Sequence, residues 1–247
     1  MDVLNDILDT LNLKGALYFR TDFSGPWSVK VPDLDQAARF HLVVQGNCRI
    51  EMESGEAVDL GPGDIALIPK GRSHILADKA GRDAPELENV LKDAGYDGDG
   101  VLVVGDGDPY AATQMICGHF TFRGGADHPI LRALPEYLLT TAAVRAREPW
   151  LDEMLRLVAR RVFSEELGSM AAITRLSEIV FIELLRVGIS QSDELRSIIE
   201  AFRDQQIGHA LELIHARPSE HWTVEKLAGA VGMSRSRFAE RFSELVG

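Results

Sequence analysis

The sequence contains only two cysteines in 247 residues, Cys48 and Cys117. Two are too few for a disulfide framework, which points to a reducing compartment. No stretch reaches the roughly eighteen consecutive apolar residues of a membrane-spanning helix. The N-terminus, Met1-Asp-Val-Leu-Asn-Asp, lacks the basic stretch that opens a secretory signal. A cytoplasmic protein with no membrane partner is therefore expected. Positive charge is also scarce, since 26 Lys and Arg against 38 Asp and Glu leave a net −12. That sign argues at first against nucleic acid, but distribution matters more than the total. What is present is 45% hydrophobic content, enough to bury a core in a chain of two-domain length.

The charge is unevenly placed. From Gln205 onward, Arg217, Lys226, Arg235, Arg237 and Arg241 balance Glu212, Glu220, Glu225, Glu240 and Glu244, so the negative excess lies upstream. Within this neutral stretch the pattern is helical. Thr223 suits an N-cap, and Val224, Leu227 and Ala228 recur on one face. Gly232 falls where a tight turn needs positive φ. Ser234 can cap a second helix whose apolar side is Phe238, Phe242 and Leu245. Upstream, Ile207, Ala210, Leu211 and Ile214 supply a helix to pack against the pair. Two short helices around a glycine turn form a helix-turn-helix pattern.

The run from Ile207-Gly-His-Ala-Leu through Trp222-Thr-Val-Glu-Lys-Leu-Ala to Gly232-Met-Ser-Arg-Ser-Arg-Phe-Ala-Glu-Arg-Phe closely resembles the first helix-turn-helix of AraC/XylS-type transcriptional regulators. The resemblance implies promoter DNA as partner, with the helix after Ser234 entering the major groove. It places Ser236, Ala239 and Glu240 near base edges, and Arg235, Arg237 and Arg241 near phosphates. Glu240 departs from the basic residue expected there; a carboxylate accepts from a cytosine amine or repels the backbone. Regulators of this family usually carry two such units. This chain stops after the first, so weak DNA binding is expected from it alone.

From Gly15 to about Phe122 the period is two. Ala16–Phe19, Phe40–Val44, Arg49–Met52, Ala57–Leu60 and Ile65–Ile68 are short apolar runs separated by Gly, Pro, Asp and Asn. Such spacing predicts an antiparallel sandwich or barrel. Gly61-Pro-Gly-Asp-Ile-Ala-Leu-Ile-Pro-Lys-Gly-Arg-Ser-His resembles the second cupin motif, and Phe40-His-Leu-Val-Val-Gln-Gly resembles part of the first. Together they resemble the cupin-type sensory domain of AraC-type regulators. The expected fold is α+β: a cupin-like antiparallel β-barrel in residues 1–128, a helical hairpin with linker in 129–203, and a helix-turn-helix in 204–247. The hairpin helices carry Leu151, Met154, Leu155, Val158 and Val162, then Ile173, Leu176, Val180 and Leu184, around a Gly168-Ser169 loop. They either cover the barrel or form a homodimer contact. A further short helix is expected over 190–203. The acidic insertion from Asp78 to Asp108 reads as a solvated loop with a short helix near 86–94.

Cupin enzymes usually hold a metal with a His-x-His pair, which His41-Leu-Val lacks. His41, His74 and Cys117, with His119 or water in a fourth position, are the candidate ligands for a divalent metal such as Zn²⁺. Hydrogen-bonded core histidines and a buried apolar-like cysteine explain the same residues. A redox role for Cys117, with Cys48 as partner, is a third possibility. Trp27 and Phe40 are candidates to line a ligand pocket. The leading expectation is a DNA-binding transcriptional regulator sensing a small molecule, metal or redox signal. The alternative is a metal-dependent cupin isomerase or dioxygenase with a helical tail.

Overall fold

The computed structural model describes residues 15–98, 100–106, 111–122, 134–161, 169–217 and 219–246. By internal contacts, one compact unit runs through the period-two half and on from Pro135 to Leu185, and a second takes in Arg186 onward.

The first unit is built on strands β1 (Gly15–Phe23), β2 (Ser28–Val31), β3 (Ala37–Gln45), β4 (Cys48–Met52), β5 (Ala57–Leu60), β6 (Ile65–Ile68), β7 (His74–Ala77), β8 (Val101–Val104), β9 (Thr113–Thr121) and β10 (Leu138–Thr140). One sheet has the order β10-β6-β3-β9-β1-β8 and the other β2-β7-β4-β5. The ladders are antiparallel, as the turn-rich sequence implies, with one exception. β8 runs parallel to β1, with Arg20 opposite Val101. Parallel neighbours need a long crossover, and the many residues between β1 and β8 supply it.

The two sheets share one core. Phe23, Val43, Met115 and Cys117 from the first meet Val29, Ile50, Met52 and Leu76 from the second. The opposite parity of the large sheet points away from this core. Phe40 stacks on Phe120 at 5.2 Å, and Phe120 on Phe181 at 5.1 Å. Phe40 therefore does not line the barrel interior, because odd-numbered β3 residues occupy that face.

Tight turns seat the cupin-like motif. Asp64 Oδ2 accepts from Gly61 N–H at 2.9 Å, and Asp64 Oδ1 accepts from Ala142 N–H at 2.7 Å. Gly71 adopts φ +60°, and a Cβ there would lie 2.3 Å from the Leu34 carbonyl oxygen. Only glycine fits so close an approach.

Helix α1 (Leu87–Asp93) lies in the acidic insertion, α2 (Ala142–Arg145) follows β10, and the hairpin helices are α3 (Pro149–Arg161) and α4 (Ser169–Ser190). Leu151, Leu155, Val180 and Leu184 are buried as their spacing predicts. Ser169, expected in the loop, is instead the first residue of α4. The side chains of Val158, Val162 and Ile173, and Gly168 itself, lie outside the described residues.

The second unit contains α5 (Asp193–Arg203), α6 (Gln205–Ala216), α7 (Val224–Ala230) and α8 (Arg235–Val246). Ser192 Oγ accepts from Leu195 N–H at 3.2 Å and sets the start of α5. Thr223 Oγ1 accepts from Lys226 N–H at 3.2 Å and does the same for α7. Gly232 takes φ +69° between α7 and α8, the left-handed conformation that the turn needs. Ile207, Ala210, Leu211, Leu227, Ala228 and Phe238 form the core of this unit. Val224 is 38% exposed rather than buried with Leu227, because the first helical residue sits at the rim of the packed face.

Candidate functional site

The barrel interior brings His41, His74 and Cys117 into one hydrogen-bonded chain that joins the two sheets. β3 supplies His41 and β9 supplies Cys117 directly across the ladder. β7, in the other sheet, supplies His74. The Arg72 carbonyl can only accept, so His74 Nδ1–H donates to it at 2.7 Å. In a neutral ring Nε2 must then accept, and it does so from His41 Nε2–H at 2.8 Å. His41 Nδ1 is left as acceptor for the Cys117 thiol at 3.1 Å. A single proton arrangement satisfies every group without charge.

Burial enforces that neutrality. It pushes His41 well below the usual imidazole value, and the neighbouring His74 and Arg39 act in the same sense. Burial lowers His74 to about 4, against an opposing contribution from its bond to Arg72. Burial pushes the Cys117 thiol up, and Cys48 is raised to about 12 for the same reason. Both cysteines are free and buried. Their environment favours thiol over thiolate, the opposite of the low-pKa setting that a reactive cysteine requires.

The expected metal set does not converge. His41 directs its two nitrogens to opposite sides of the ring, one toward His74 and the other toward Cys117. Tetrahedral Zn²⁺ needs its donors gathered about one point at about 2.0–2.3 Å. His119 lies further along β9, opposite Arg39. Among the described residues no group of three or more His, Cys, Asp or Glu side chains is placed to hold a metal ion. The residues present thus fit a hydrogen-bond chain and do not fit the four-ligand centre.

The interior also holds Arg39 and Thr21, which no sequence motif marks. Both line a narrow cavity together with His41 and Cys117. The available signal was parity, since Arg39 is two residues before His41 on the same strand. An arginine on the inward face of a barrel strand is unusual enough to mark.

The helix-turn-helix presents its candidate residues on α8 and just before it. Ser234 Oγ lies 3.4 Å from Arg237 N and 3.4 Å from Ser236 Oγ, at the helix start. Ser236, Arg237 and Glu240 are exposed. Arg235 Nε sits 2.6 Å from Glu225 Oε1 of α7. Arg241 bridges Asp204 Oδ2 at 2.9 Å and Glu244 Oε2 at 3.0 Å. Asp204 in turn caps α6 through the N–H groups of Gln206 and Ile207. Those backbone bonds, followed by Arg241, hold its carboxyl below the ordinary range. Arg241 therefore ties α8 to the start of α6. Among the described residues, Arg237 is the one α8 arginine outside an ion pair.

The architecture defines a class: a two-sheet cupin-like domain followed along the chain by a helix-turn-helix. The family model described as "Cupin" matches residues 2–189, and the chain belongs to that family. Over its whole length it is 29% identical to the HTH-type transcriptional regulator AlkR of Acinetobacter baylyi, covering 80% of that protein. It is 24% identical to the HTH-type transcriptional regulator MtrA of Neisseria gonorrhoeae, again over its whole length and 79% of that protein. A crystal structure of apo ToxT from Vibrio cholerae aligns with a TM-score of 0.40 at 8% identity, covering 94% of this chain and 76% of that one.

Proposed function

We propose that this protein is a sequence-specific DNA-binding transcriptional regulator of the cytoplasm whose cupin domain senses a small molecule. One observation carries the reading: a cupin domain and a helix-turn-helix occur in a chain whose whole length aligns with about four fifths of HTH-type regulators. The exposed row Ser236, Arg237 and Glu240 on α8 suits base and phosphate contacts. A small-molecule signal fits the interior better than a metal, because His41 has no nitrogen left for coordination. It also fits better than oxidation, because burial keeps both thiols protonated. A metal-dependent enzyme would need the convergent donors that His41 does not offer.

Promoter DNA and an effector are the proposed partners, and a homodimer the proposed assembly. Trp150 on α3 is 74% exposed and Ile179 on α4 is 45% exposed. Large apolar side chains so placed on the hairpin support a dimer contact there. The test is an electrophoretic shift on intergenic DNA upstream of the encoding gene, alongside light scattering. A sequence-specific shift with a dimeric mass is expected; DNA binding indifferent to sequence would overturn the reading.

A further inference from the structure

The outer face of the large sheet carries an opening separate from the space around His41. It is a cleft of ≈ 390 Å³ between β3, β9, the β5–β6 turn and α3. Small-ligand clefts span about 300–1,000 Å³, so this one has room for an effector. Leu42, Val44 and Ile116 form an apolar floor, and Leu155 of α3 forms a wall. Leu42 is paired with Ile116 across the ladder, and Val44 lies two residues on. Such a floor runs roughly 7 Å along the strand and about 5 Å across it. It seats one compact ring or branched group rather than an extended chain.

The polar lining is a single linked cluster. Arg145 Nε lies 3.0 Å from Asp152 Oδ1, and Arg156 Nε donates to Asp152 Oδ2 at 2.8 Å. Two guanidiniums thus share one carboxylate, and one positive charge is left over. Each guanidinium has five N–H donors in a planar fork, more than one carboxylate oxygen can use. Gly63 makes room for Arg145, since a Cβ there would come within 3.3 Å of its Nη2. The Arg145 side chain keeps 22% exposure and is held, whereas Arg156 keeps 64% and can swing onto a ligand.

This chemistry excludes several occupants. A sugar needs neutral donors and acceptors, and among the described residues no Ser, Thr, Asn, Gln or Tyr lines the cleft. A cation would meet two guanidiniums against one carboxylate. A multivalent anion would outweigh the single surplus charge.

We propose that this cleft binds a small monocarboxylate with a compact apolar body. The apolar body rests on Leu42, Val44 and Ile116, and the carboxylate accepts from Arg145 and Arg156, which Asp152 aligns. This rests on the reading of the cupin domain as the sensor, and names the place and chemistry of its effector.

The test is calorimetric titration of the full chain with cyclohexanecarboxylate, cyclohexanecarboxamide and acetate. The amide removes the charge, and acetate removes the apolar body. Saturable binding of cyclohexanecarboxylate is expected, at least about tenfold tighter than either control. Val44→Asp places a like charge on the floor and should abolish binding. Val44 is 52% exposed, so the change leaves the core intact. Arg156→Gln, also at an exposed position, should weaken the acid about threefold to tenfold. A control that matches cyclohexanecarboxylate, unchanged affinity in either variant, or no saturable binding at millimolar concentration overturns the proposal. Electrophoretic shifts run without ligand keep the two readings apart. A sequence-specific shift with no acid binding overturns this inference alone. Acid binding beside a shift indifferent to sequence overturns the regulator reading alone.

Discussion

The barrel interior and the surface of α8 handle polar groups in opposite ways. Inside the barrel, His41, His74 and Cys117 are buried and neutral, linked with the Arg72 carbonyl by three directed hydrogen bonds. On α8, Arg235 and Arg241 meet acidic partners at an exposed surface. The difference follows from dielectric: charge is expensive in a dry core and cheap at a wet surface. A sensor interior gains selectivity because each unmet donor or acceptor is costly. A DNA-reading surface needs exchangeable charge, so that phosphates can displace weak intramolecular pairs.

The largest test of this contrast is Phe238→Ala. Phe238 is 2% exposed and stacks 5.5 Å from Phe242 in the second unit's core. Its truncation should cost about 3–5 kcal/mol. Hydrogen exchange should show protection lost across α6–α8 and retained in the barrel strands. Loss in both regions would show that the two do not behave as separate cooperative units.

The second test is pH. The folded-state pKa of His74 is lowered to about 4, below the unfolded value of about 6.5. Between those values the unfolded chain binds a proton that the folded chain refuses, so stability rises with pH. It should be full above pH about 6.5 and decline as pH falls toward 4, by about 3 kcal/mol from His74 alone. His41 acts in the same direction. Urea midpoints across that range should fall, and His74→Gln should flatten the profile. An unchanged slope in the variant would mean that the neutral chain does not control it.

Asp204 offers a smaller and sharper comparison. Asp204→Ala removes the cap of α6 and the Arg241 partner together, and should cost about 0.5–2 kcal/mol in chemical denaturation. Asp204→Asn keeps a capping oxygen and removes only the charge, so its cost should stay below about 1 kcal/mol. Equal losses would assign the ion pair more weight than a solvated pair normally carries.

The smallest effect is on DNA. Arg237→Ala should reduce the salt dependence of binding by about one unit of slope. Arg235→Ala should reduce it less, because the Glu225 carboxylate already faces that guanidinium. Binding measured across salt concentrations distinguishes the two, and identical slopes would remove the distinction drawn from the ion pairs.

Much of this molecule is legible from local signals. Period-two runs mark β1 and β3–β6 but not β2, and Thr223, Gly232 and Ser234 mark the α7–α8 turn. Each signal spans only a few residues, and the backbone obeys it wherever tertiary contacts agree. Four features were less legible. The parallel β1–β8 pair joins segments about eighty residues apart, and no local pattern encodes such closure. The alternation of β3 is visible in the sequence, but which parity faces the core is not, so period alone does not tell that Arg39 faces inward and Phe40 outward. Val224 follows helical spacing yet sits at the rim. Of the candidate metal residues, His41, His74 and Cys117 meet through hydrogen bonds, a contact between strands distant in sequence that no local pattern encodes.

Sequence alone therefore determined most element types, the turns and the cupin and regulator likenesses, because these depend on neighbours along the chain. Tertiary structure decided what the grouped residues do. His41 meets His74 and Cys117 across 33 and 76 positions of sequence, and only the packing of the two sheets sets which nitrogen faces which partner. With both ring nitrogens engaged, the histidines form a neutral wire rather than a metal cage. Arg241 was likewise readable as a phosphate contact, and folding turned it toward Asp204, 37 residues away. Directional bonds and burial arise only when distant segments meet.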